Sequence, residues 1–100
     1  MRNTIRTADR VEHKLLVEEL VRMWTERKFS DRKVERLLNR PTGWATRLKK
    51  SERSLDFATI FDFIRLLGGD IPEVMRRVDE ATEAYYKNMG QPRPCPPVED

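Results

Sequence analysis

At 100 residues the chain has room for one hydrophobic core and little else, so one domain is expected and a deep catalytic cleft is not. Its 38% hydrophobic and 37% charged residues are too apolar for a disordered chain and demand a densely charged folded surface. No run nears the ~20 apolar residues that cross a bilayer, no secretory core opens the chain, and the lone Cys95 can form neither an internal disulfide nor a cysteine metal cluster; a reducing cytoplasm without membrane contact is expected.

Residues 1–7 (MRNTIRT) have no apolar period and read as a flexible basic arm carrying Arg2 and Arg6. From 8 to 27, Val11, Leu15, Leu16, Leu20, Val21 and Trp24 recur at helical steps, predicting a first helix with Thr7 as N-cap and Phe29 over the turn that follows. Ser30 caps a short second helix over 31–38, with Asp31 at its positive end and Val34, Leu37 and Leu38 facing inward. Asn39 suits the left-handed residue that ends it. Pro41 suits the first turn of a third helix, running from 41 or 42 to 50.

After a polar connector at 51–54, a fourth helix over 55–67 carries Leu55, Ala58, Ile60, Phe61, Phe63, Ile64 and Leu67, the most buried set in the chain, and stops at Gly68-Gly69. Asp70-Ile71-Pro72 opens a fifth helix, with Ile71, Val74, Met75, Val78, Thr82, Tyr85 and Met89 on one stripe until Gly90. The four prolines of 91–100 predict a disordered tail. No strand pattern occurs, so the expected fold is all-α: a domain over 8–90 between an arm and a tail.

Charge is polarised along this order. Residues 1–55 carry 15 Lys and Arg against 8 Asp and Glu, whereas 56–100 carry 5 against 9. Ten basic residues fall within 27–53 (Arg27, Lys28, Arg32, Lys33, Arg36, Arg40, Arg47, Lys49, Lys50 and Arg53) beside only Asp31, Glu35 and Glu52. Such a segment attracts polyanions, because each neutralised phosphate releases condensed counterions. A solvated basic surface would show the same excess, so charge alone does not decide. Two short helices, the second basic and rich in small polar residues, are also what a DNA major groove admits.

The segment SDRKVERLLNRPTGWATRLKKSERSLDFATIFDFIRLLGGDIPEVM resembles the phage-repressor or Xre-like helix-turn-helix family over roughly half the chain. The resemblance implies a five-helix repressor-like bundle whose second and third helices join through a three- or four-residue turn, with Val34, Leu38, Ala45 and Leu48 as its buried framework. It implies that Thr42, Gly43, Thr46 and Arg47 face DNA, with Arg47 the base reader. Arg32, Lys33, Arg40, Lys50 and Arg53 would then neutralise phosphates, and Arg2 and Arg6 follow the groove as an arm. The chain departs from the pattern at Glu35, where a small residue is usual, at Asn39, where glycine is, and at Lys49, often acidic in the family. Glu35 is expected either to swing to solvent or to pair with Arg47 or Lys49.

Other chemistry has little footing. His13 stands alone, so a surface or half-buried histidine is expected rather than a ligand or base. Asp56, Asp62, Asp79, Glu80 and Glu83 are dispersed by helical spacing, and read as an acidic face that repels DNA and orients the basic one. No phosphate loop or nucleophile motif occurs; no enzyme activity, cofactor or metal is expected. Trp44 suits either stacking on a sugar-phosphate backbone or packing inside the fold. The helix 5 stripe outlasts the core, and either packs on the first helix or, as preferred here, forms a homodimer. The expected function is sequence-specific binding of double-stranded DNA by a transcriptional repressor of phage, mobile-element or antitoxin type, bacterial or phage-encoded and nucleoid-associated when bound. The alternative is a protein-interaction adaptor using helix 5 or the tail, and an antitoxin would add a small toxin as partner.

Overall fold

A computed structural model describes residues 6–94. Residues 1–5, with Arg2, and 95–100, with Cys95, lie outside the described residues. The fold is all-α: a 3-10 turn at Thr7–Asp9, then α1 (Val11–Glu26), α2 (Asp31–Leu37), α3 (Trp44–Lys49), α4 (Phe57–Leu66) and α5 (Ile71–Asn88).

Local signals set most helix ends. The Ser30 hydroxyl accepts the Lys33 backbone N–H at 3.1 Å and starts α2 as expected. At its end Asn39 takes φ +56°; Asn39 N–H reaches the Arg36 carbonyl and Arg40 N–H the Glu35 carbonyl, closing a Schellman motif. Gly68 and Gly90, also left-handed, close α4 and α5 through the same paired bonds. Asp56 caps α4, its Oδ1 accepting the Thr59 N–H at 2.7 Å. Arg93, in the irregular stretch after α5, pairs with Asp79 and Glu83 of α5 and Glu12 of α1.

Several expectations are corrected. The first helix does not run through from residue 8, because the 3-10 turn precedes it; its N-cap is Arg10, and the Thr7 side chain caps nothing. Helix α3 starts at Trp44 rather than at Pro41 or Thr42. Gly43 at φ +91° and ψ −9°, with the Trp44 N–H on the Pro41 carbonyl at 3.1 Å, makes 41–44 a reverse turn, which the missing Cβ permits and which a helix cannot include. The connection between α2 and α3 is therefore Leu38 to Gly43, longer than the three or four residues expected. Finally, Leu37 is 45% exposed, because it lies at the edge of the side that Val34, Glu35 and Leu38 turn inward.

The core centres on three rings. Trp24 of α1 stacks on Phe63 of α4 with centroids 5.4 Å apart and planes within 4°, and Trp44 of α3 tilts onto the same Phe63 at 6.2 Å. Leu20, Val34, Ala45, Leu48, Ile64 and Val74 close around them. Helix α5 lies along α1 through Val74, Val78 and Thr82, while Tyr85 and Met89 remain exposed. Ala58, expected in the core, is exposed, and Phe57 before it is 75% exposed.

Candidate nucleic-acid interface

Helix α3 divides cleanly by its period. Trp44, Ala45 and Leu48 point into the core, whereas Thr46, Arg47 and Lys50, at spacings of three and four, share the outward side and are exposed. Thr42 is exposed at the corner of the preceding turn. A Cβ built on Gly43 meets nothing within 4 Å, so its flank is open to a close neighbour. Trp44 is 7% exposed, which settles its two sequence readings in favour of packing.

Two carboxylates of α2 bind α3 from the inner side. Glu35, 4% exposed, neither swings to solvent nor pairs with Arg47 or Lys49; its Oε2 accepts the Ala45 backbone N–H at 2.8 Å. The turn at 41–44 brings the start of α3 onto α2, and Gly43, the N-cap, has no side chain to satisfy the first amides. One helical turn away, Asp31 takes the Lys49 ammonium at 2.8 Å, and that ammonium also lies 5.3 Å above the Trp24 ring. Lys49 is thus spent within the fold. The signal for Glu35 was present in the sequence as an acidic residue four places after Asp31, ahead of a glycine unable to cap.

The remaining cations of this region have no carboxylate partner among the described residues: Arg32, Lys33, Arg36, Arg40, Arg47, Lys50 and Arg53. The arginines of α1 and α5 differ. Arg22 is held by Glu19 and Glu26, Arg76 by Glu73 and Glu80, and Arg77 by Glu73 and Glu19. Not every expected contact residue is equally available. The Arg40 guanidinium donates to the Thr59 hydroxyl at 2.8 Å and covers the Trp44 ring at 5.4 Å, while Lys33 sits over Phe29 at 4.4 Å. Arg6 bonds Asp9 at 2.9 Å and the Ser51 carbonyl at 3.3 Å, which places the start of the described chain beside the end of α3.

His13 connects α1 to the chain just beyond α3. It is 6% exposed, its Nε2 accepts the Leu55 backbone N–H at 2.9 Å, and its Nδ1 has no partner among the described residues. An accepting Nε2 means a neutral ring with its proton on Nδ1. Burial pushes its pKa below the ordinary 6.5. The unfolded chain therefore takes up a proton that the folded chain refuses, so His13 stabilises fully above about pH 6.5, and that contribution is lost as pH falls through its lowered folded value. Denaturant midpoints are expected to drop between pH 7.5 and about 5.5, above the range where carboxylates titrate, and His13→Leu should flatten that part of the profile. A wild-type midpoint constant over this interval would contradict the assignment.

Among the described residues no group of three or more His, Cys, Asp or Glu could hold a metal ion, and no helix is long and apolar enough to cross a membrane. Fold and charge together define an all-helical chain presenting a short helix whose outer side is cationic and, among the described residues, without carboxylate partners. No protein-family model, curated protein or solved structure matches the chain.

Proposed function

We propose that the chain binds double-stranded DNA sequence-specifically, with α2 and α3 as a helix-turn-helix and the outer side of α3 in the major groove. The observation that carries this reading is the density of unpaired charge: among the described residues, seven of the eight cations from Arg32 to Arg53 lack a carboxylate partner, whereas Arg22, Arg76 and Arg77 of α1 and α5 are paired and only Lys14 and Lys87 of those two helices are not. Lone cations cost little in water and gain most from a polyanion. The resemblance of residues 30–75 to phage-repressor sequences supports the same reading.

Within it, Arg47 reads guanine O6 and N7 with its planar guanidinium, and Thr46 touches a thymine methyl or a phosphate. Thr42 and the open flank of Gly43 meet the DNA backbone, and Arg32, Lys33, Lys50 and Arg53 set register through phosphates. The action is repression by occluding a promoter, without catalysis or cofactor. A homodimer would place two α3 helices about 34 Å apart, one DNA turn, and the exposed Tyr85 and Met89 give α5 apolar surface for it. Those same residues favour the second reading, an adaptor or antitoxin that holds a protein partner on α5.

The test is a duplex selected from a random pool. Arg47→Ala is expected to reduce preference for that duplex over an arbitrary one by about tenfold to a hundredfold, with a smaller loss of nonspecific affinity. An unenriched pool, or equal losses on both duplexes, would remove the reading.

A further inference from the structure

The buried Glu35 carboxylate has no place in the reading of DNA given so far, and it is expensive to bury. A carboxylate leaves water only where hydrogen bonds replace hydration, and here the replacement comes from another helix: the Ala45 N–H, second residue of α3, at 2.8 Å. We propose that Glu35 is the positioning residue of α3, acting as its N-cap from outside the helix and fixing the orientation in which Thr46, Arg47 and Lys50 are presented. The inference rests on the DNA-binding reading for its consequence, though not for its geometry.

Three observations converge. Gly43 occupies the N-cap position with φ +91° and no side chain, so α3 has no local cap. At six residues α3 is too short to hold itself in water, and its place depends on what it is tied to. The ties are paired in antiparallel sense, Glu35 to residue 45 and Asp31 to residue 49, four residues apart on both helices. The Asp31 pair is exposed by about a third on each side and contributes little, which leaves the buried bond as the firmer of the two polar ties, beside the packing of Trp44, Ala45 and Leu48. A second consequence follows from charge. The positive end of α3 already faces a carboxylate, so it offers no seat to a phosphate, and recognition falls to the outward side chains.

Glu35→Ala and Glu35→Gln separate the bond from the charge, since Gln keeps volume and an acceptor oxygen. In the free protein, Glu35→Ala should speed amide hydrogen exchange at Ala45 by about tenfold or more, the loss implied by one hydrogen bond to a carboxylate, while Gln stays near wild type. On DNA, Glu35→Ala should lower the ratio of selected to arbitrary duplex affinity by about tenfold and leave the arbitrary duplex little changed, and Gln should restore the ratio. A purely stabilising role would move the melting temperature and leave that ratio intact, which would overturn the proposal. So would unchanged Ala45 exchange in the Ala variant, or a Gln variant as impaired as Ala. Should wild type bind no duplex, the DNA-binding reading falls, while the exchange measurement still decides whether Glu35 holds α3.

Discussion

Raising salt from about 50 to about 200 mM is expected to weaken binding to an arbitrary duplex by about a thousandfold. Each phosphate neutralised contributes a slope of about −0.9 in log affinity against log salt, and about six contacts over a fourfold change in salt give three decades. Among the described residues from Arg32 to Arg53, six cations are available for this without breaking an internal bond to a polar group: Arg32, Lys33, Arg36, Arg47, Lys50 and Arg53. Arg40 is left out because its guanidinium is held by Thr59. Lys50→Ala should remove about one unit of slope, whereas Arg76→Ala, at a guanidinium already held by Glu73 and Glu80, should leave the slope unchanged. Fluorescence titrations over the salt range measure both. A slope near zero, or one that responds equally to the two substitutions, would separate the unpaired cations from DNA.

Phe63→Ala is expected to cost about 3–5 kcal/mol, enough to consume much or all of the ~5–15 kcal/mol that holds a small domain. Phe63 is fully buried and its ring is the shared neighbour of Trp24 and Trp44, so truncation opens a cavity that α1, α3 and α4 all line. Partial collapse cannot fill it without moving α3 by way of Trp44. Phe57→Ala, on the same helix but 75% exposed, should change stability by no more than about 0.5 kcal/mol. Urea unfolding followed by tryptophan fluorescence compares them directly. Similar costs for the two would refute the ring cluster as the centre of the core.

What the sequence made readable was local. Ser30, Asn39, Gly68 and Gly90 each end or begin a helix through bonds to residues three to five places away, and the stripes Leu16, Leu20, Trp24 and Val74, Val78 follow from the helical period alone. The outward set Thr46, Arg47 and Lys50 is legible for the same reason. The misjudged parts depend on partners distant in the chain or on competition between two local rules. Pro41 reads as a helix start, yet Gly43 two places later prefers the left-handed turn, and the turn wins because Trp44 must reach Phe63. Glu35 looks like a surface carboxylate until Ala45 is placed against it. His13 acquires its role from Leu55, 42 residues away, through a backbone N–H that carries no trace in residue type. Leu37 shows the converse: an apolar residue on a short helix whose stripe Val34 already fills.

Backbone-amide chemical shifts of the protein titrated with duplex DNA at low salt decide whether the outer side of α3 meets the nucleic acid. The largest changes are expected on Thr46, Arg47 and Lys50, with lesser ones at Arg32, Lys33 and Arg53. Changes confined to α5 around Tyr85 and Met89, or to the start of α4 at Phe57, would contradict that contact, as would a spectrum that DNA leaves untouched.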